Sequence, residues 1–226
     1  MKIIFAAFIL LIVMNVQSQT VVKPNYGIKS HEVLNIDSIV NSQSNTIVFL
    51  SAKVPEAGSP FCVNKNTYLR SNNSGSKYNM IRARNVSMCP NSKIYKNAGE
   101  KFIFELIFPA IDNSLKYIDL IEDCNDACFY FKGIILDKSF NKEIEEAYSS
   151  YSKSSSLAME KFKLLINDHP EYMYGFAYIN IIKILAEKNE MKQAHEWYSK
   201  MNSSLLLDKP ELDEIIKKQP YYNLIK

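Results

Sequence analysis

The chain has 226 residues, with 27 Lys and Arg against 24 Asp and Glu, a formal net charge of +3, and 47% hydrophobic residues. So balanced a charge, with no basic stripe interleaved with aromatics, excludes the electrostatic footprint of a nucleic-acid binder. The length admits one large domain or two small ones.

Met1-Lys2 opens the chain with a positive charge, and Ile3 to Val13 is an unbroken apolar run. Val16-Gln17-Ser18 then places modest side chains ahead of a cut before Gln19. This is the layout of a cleavable secretory leader over residues 1–18, too short for a membrane span. No Cys follows the apolar run to carry a lipid anchor, and no later run approaches the ~20 residues needed to cross a bilayer. The expected location is therefore periplasmic or extracellular, without a membrane span after cleavage. The four remaining cysteines, Cys62, Cys89, Cys124 and Cys128, are expected to be oxidised there, and four cysteines allow three pairings.

Residues 19–137 read as β structure. Val33 to Val40 and Thr46 to Val54 flank an Asn/Ser cluster and predict a hairpin. Phe61 to Leu69 and Tyr78 to Met88 flank Ser71 to Ser76 and predict a second. Glu100 to Phe108 alternates with Phe102, Phe104, Leu106 and Phe108 on one face and Ile103 and Ile107 on the other, which predicts an interior strand. Tyr117 to Ile121 and Cys128 to Leu136 complete about seven strands. The expected fold class is α+β: an immunoglobulin-like antiparallel β-sandwich followed by an α-helical part. The strand readings favour Cys124–Cys128 as a staple across one turn, and Cys62–Cys89 as the other pair. Ideal hairpin register would set Cys62 nearer Asn85, so the second pair needs a bulge or a link between sheets.

Residues 138–226 read as helical. Phe140 to Tyr151 and Leu157 to Ile166 carry apolar residues at three- and four-residue steps, and Met191 to Met201 carries Ala194, Trp197, Tyr198 and Met201 on one face. Pro210, well placed in a first turn, opens a last short helix to Lys218 before Pro220. Met173 to Ala186, nearly all apolar, predicts a helix buried between neighbours. Ala158, Phe162, Leu165 and Pro170 fall at the offsets of the second helix of a tetratricopeptide repeat, which this segment resembles. Ala194, Tyr198 and Met201 repeat the small–aromatic–apolar pattern one unit later, although the Leu-Gly pair of such repeats is missing. The resemblance covers up to two degenerate units and implies a repeat-like bundle.

The β part resembles a secreted bacterial β-domain of uncharacterised role that sometimes precedes thioredoxin-like domains. The likeness spans roughly residues 28–137. It is carried by Asn66-Thr67-Tyr68-Leu69, Lys77-Tyr78, Phe104 to Pro109, Ile118-Asp119-Leu120-Ile121-Glu122 and Phe129 to Leu136 with Gly133-Ile134. It implies a fold and brings no catalytic residues.

No catalytic constellation is legible. His31, His169 and His195 share no short motif, and neither a nucleophile elbow nor a zincin motif occurs. The Cys124–Cys128 spacing is not that of a C-x-x-C redox pair, and Glu122, Asp123 and Asp126 would suppress a reactive thiolate. Those acidic residues also lack the D-x-D-x-D-G order of a calcium loop. Neither a cofactor nor a metal is expected. The expected function is a non-enzymatic binding or scaffold module of the cell envelope. Its protein or peptide partner would meet an aromatic groove formed by Tyr174, Tyr178, Trp197 and Tyr198. The alternatives are a carbohydrate- or surface-binding adhesin and, less favoured, a thiol-redox or hydrolytic enzyme.

Overall fold

The computed structural model describes residues 18–72 and 74–226; the expected leader lies outside them except for Ser18. Among the described residues, twelve strands are followed by six helices. In chain order the strands are β1 (Gln19–Val22), β2 (Ile28–Lys29), β3 (Leu34–Asn41), β4 (Asn45–Lys53), β5 (Pro60–Phe61), β6 (Tyr68–Ser71), β7 (Lys77–Asn79), β8 (Arg82–Arg84), β9 (Lys93–Ile94), β10 (Lys101–Pro109), β11 (Tyr117–Ile121) and β12 (Tyr130–Ile135). The helices are α1 (Lys138–Tyr151), α2 (Ser155–Asp168), α3 (Phe176–Glu187), α4 (Met191–Ser203), α5 (Lys209–Lys217) and α6 (Tyr222–Ile225).

The strands form one sheet ordered β1-β3-β4-β10-β8, a second ordered β2-β12-β11-β6-β7, and a two-stranded flap of β5 and β9. Every pairing between these strands is antiparallel. Inward residues of both five-stranded sheets, among them Leu34, Leu50, Phe104, Leu69, Leu120 and Phe131, make a single hydrophobic cluster. The predicted hairpin of Val33 to Val54 is β3–β4, and the interior strand is β10, paired with β4 on one side and β8 on the other. The second predicted hairpin is shorter than its apolar pattern. Only Tyr68 to Arg70 pair with Lys77 to Asn79; the chain then leaves that sheet, and β8 joins β10 in the other. Beyond the crossing, Val63 and Met88 form an isolated parallel bridge that sets Cys62 beside Cys89. The pair therefore forms outside both five-stranded sheets, and ideal hairpin register does not set it.

β11 is buried on both faces for a physical reason. Ile118 and Leu120 point into the cluster between the sheets, whereas Tyr117 belongs to a second cluster with Phe140, Ile144, Phe162, Ile181 and Leu185 of the helices. Helices therefore cover one face of this sheet. α1 starts where Asp137 caps it, its carboxylate accepting from the amides of Ser139 and Phe140. α5 carries Pro210 in its first turn, as expected of a residue with no amide proton to leave unsatisfied.

One helix begins later than its apolar run predicts. α3 starts at Phe176, so Met173 to Gly175 are not helical. The segment instead lies against the sheet. The Tyr174 hydroxyl donates to Asp119 Oδ1 at 2.7 Å, and the Tyr172 hydroxyl donates to the Gly133 carbonyl at 2.7 Å. Asp119 is fully buried and also accepts the Gly133 amide at 2.7 Å and Arg70 Nε and Nη2 at 3.1 and 2.6 Å. Burial and the Asp119 charge hold the Tyr174 phenol far above its ordinary range, so it stays a donor. On the other side, the Gly175 amide donates to both oxygens of Asp208 at 3.0 and 3.2 Å, and the Leu207 amide to the Met173 carbonyl at 2.8 Å. Lys132 pairs with Glu211, tying β12 to α5.

Asp208 predicts a pH dependence. Burial, opposed by the Gly175 amide, pushes its carboxyl up to about 7. The unfolded chain releases this proton near pH 4 and the folded chain only near neutrality, so between those values the folded state binds more protons. Stability contributed here is therefore full at acid pH and falls as pH rises from about 4 to 7. The variant Asp208→Asn, which keeps an acceptor for the Gly175 amide, is expected to flatten that decline in thermal melts taken from pH 4.5 to 8. A wild-type midpoint that rises over this range in step with the variant's would contradict the assignment.

Candidate ligand cavity

A cavity of about 540 Å³ opens at the end of the sheets that carries both disulfides. Its lining joins Pro60 and Phe61 of β5 and Tyr95 just after β9 to Lys53 at the end of β4 and Phe102 at the start of β10. Phe104, Leu106 and Phe108 of β10 are fully buried, but Phe102, next in the same alternation, sits where the core ends and is half-exposed to the cavity. The Tyr95 ring stacks on Phe102 at 4.4 Å between centroids, and Phe61 tilts against it at 5.1 Å. Val33, Leu34 and Val54 complete an apolar wall.

The turn between β11 and β12 also lines the cavity. All four cysteines are paired, Cys62 with Cys89 and Cys124 with Cys128, in agreement with the favoured pairing. Glu122 joins the two disulfide-bearing loops: its Oε1 accepts the Asn64 amide at 2.7 Å and its Oε2 the Phe129 amide at 3.0 Å. Burial pushes the Glu122 carboxyl up, opposed by those two amides and the His31 charge. His31 is held by a 2.7 Å contact to the Ser30 hydroxyl, which accepts the Tyr130 amide. The arrangement is an aromatic, apolar cleft with a few placed polar groups, which suits noncovalent capture of a small molecule or side chain.

Removing the Cys124–Cys128 bond should cost about 2 kcal/mol in the chain-entropy account of so small a loop. The double variant Cys124→Ser with Cys128→Ser is expected to melt roughly 4–8 °C lower. A melt within 1 °C of the wild type would show that Glu122 and the β11–β12 ladder hold this turn unaided.

The aromatics expected to form a helical groove are only partly assembled. Tyr174 is 3% exposed and faces Asp119, with its ring on Gly27 and Gly133, so it serves the sheet–helix junction. Tyr178 is buried in α3, its ring 6.0 Å from that of Trp197, and its hydroxyl lies 3.1 Å from Ser204 Oγ. Trp197 and Tyr198 are half-buried on α4, Trp197 under the Lys200 ammonium and Tyr198 against Tyr222. A second cavity of about 350 Å³ touches Tyr174 and Tyr178 but is bounded by Tyr172 and Leu206 and not by Trp197 or Tyr198. His169 ends α2, stacked on Phe140 and in contact with Glu143, and His195 contacts the Ile225 carbonyl. Among the described residues, no three His, Cys, Asp or Glu side chains group so as to hold a metal ion. No described helix is long and apolar enough to cross a membrane.

Sequence reasoning missed the cavity. Its walls come from distant stretches of chain, and the one local signal was Phe102 and Phe61 lying at the ends of their apolar runs. Comparison with protein-family models, with curated proteins and with solved structures gave no match.

Proposed function

We propose that the chain is an exported, non-enzymatic binding protein of the cell envelope, whose ligand enters the cavity at the disulfide-bearing end of the sheets. On this reading the β part is an immunoglobulin-like sandwich, spanning residues 19–137 and related to the secreted bacterial β-domain it resembles. The helices of residues 138–226 are a repeat-like buttress. The observation that carries the reading is the cavity itself. Its volume of about 540 Å³ lies within the range of small-molecule sites, roughly 300–1,000 Å³. Its aromatic floor is held open by a flap and two cross-links. The leader and the paired cysteines support export.

Site-specific photo-crosslinking tests it. A benzophenone amino acid at Phe102, which faces the cavity, is expected to give a discrete adduct in cells. The same group at Ile103, on the opposite face of β10 and 62% exposed, should give none. Equal labelling at the two positions would reject the site.

A second reading places a peptide partner on the helical part. It is favoured by the 350 Å³ cavity between α2, α3 and the α4–α5 loop, at whose edge Leu205 stands 80% exposed.

A further inference from the structure

We infer that the cavity recognises a small organic cation: an ammonium head on an aromatic or branched apolar body. This rests on the proposed ligand cavity and names the ligand's chemical class. The observation is a buried carboxylate that makes no ion pair, the His31 charge acting on it only from beyond contact distance. Glu122 is 7% exposed and lines the cavity, and among the described residues no Lys, Arg or His forms an ion pair with it. Buried carboxylates are ordinarily paired, because the charge loses its hydration and needs an opposite charge in return.

The two backbone amides satisfy one lone pair on each oxygen and leave further acceptor sites. They also fix the carboxylate in place, so an arriving donor meets a preorganised group. Lys53, His31, Tyr95 and Asp126 are the other titratable side chains of the lining. Lys53 and Asp126 are exposed at the rim and His31 is half-buried, so Glu122 is the buried charge of the wall. Phe61 and Phe102 line the same cavity, 5.1 Å apart between ring centroids, and can cover an apolar body. A hard metal ion fits less well, since amide protons already address both Glu122 oxygens.

The test is calorimetry and amide NMR on the mature, oxidised chain with three probes of one shape: 2-phenylethylammonium, 2-phenylethanol and phenylacetate. The ammonium is expected to bind at least tenfold more tightly than the alcohol, and the anion most weakly, with shifts at the Asn64 and Phe129 amides. Glu122→Gln, which retains an amide oxygen as acceptor, should bring the ammonium down to the alcohol's affinity while alcohol binding persists and reports an intact cavity. Phe102→Ala should weaken both probes alike. Equal binding of alcohol and ammonium by the wild type would overturn the cationic class and leave the cavity standing. So would an ammonium preference unchanged in Glu122→Gln. Failure of all three probes at millimolar concentration would also overturn it, and the crosslinking contrast between positions 102 and 103 would still decide the cavity.

Discussion

Replacing Asp119 by Ala is expected to lower stability by about 4 kcal/mol, within the ~3–5 kcal/mol range for breaking a buried charge pair. The carboxylate is wholly buried and accepts the Gly133 amide, the Tyr174 hydroxyl and two nitrogens of Arg70. Truncation strands the first two in a dry junction, where an unsatisfied donor costs on the order of 1–3 kcal/mol. Arg70 suffers less because its side chain is 36% exposed and can be rehydrated. At roughly 2–4 °C per kcal/mol for a chain of this size, the melting midpoint should fall by about 8–16 °C. Asp119→Asn, which keeps an oxygen for one or both neutral donors, should lose about half as much. Hydrogen exchange should place the loss in β11, β12 and Tyr172 to Gly175. A loss below 1 kcal/mol for the alanine variant would mean that this cluster does not hold the helices to the sheet.

Gly133→Ala is expected to cost about 3 kcal/mol or more, through two separate effects. Gly133 sits at φ +68°, where a side chain costs roughly 1–2 kcal/mol. A Cβ there would also lie 2.7 Å from two ring carbons of Tyr174 and 2.8 Å from the Tyr172 hydroxyl oxygen. Overpacking of that kind adds roughly 1–3 kcal/mol, because both tyrosines are pinned by hydrogen bonds and cannot retreat cheaply. Gly58 supplies the control. It has φ +86° but nothing within 4 Å of an added Cβ, so Gly58→Ala should show the backbone cost alone, about 1–2 kcal/mol. Denaturant midpoints that match for the two variants would dismiss the close approach of the tyrosines.

These two residues show what was and was not legible in the sequence. Period-two alternation marked β10 and an Asn/Ser turn between apolar runs marked β3 and β4, the apolar faces marked α1, α2 and α4, and a first-turn proline marked α5, because in each the signal is written by neighbouring residues. Asp119 inside Tyr117 to Ile121 was itself a signal, since a carboxylate in an apolar strand needs partners. Those partners, Arg70 and Tyr174, come from β6 and from the α2–α3 connection, and no local pattern pairs them. The same long-range bonds explain the overextended reading of α3. Met173 to Gly175 open the apolar run read as helical, but two tyrosine hydroxyls bonded to the sheet hold the segment out of the helix. β1, β2, β5 and β9 were missed because runs of two to four residues carry no period. The cysteine pairing was legible through chain proximity, whereas the cavity those disulfides frame depends on the flap folding back over Phe102.

The most direct measurement of the central claim is the native mass of the chain, isolated from the cells that make it without denaturant and never exposed to organic solvent. The account predicts a population heavier than the doubly oxidised chain by a discrete mass of small-molecule size. That mass should be lost on denaturation and absent from Phe102→Ala prepared in parallel. A wild-type spectrum showing the bare oxidised chain alone, or an added mass that survives unchanged in Phe102→Ala, would contradict it.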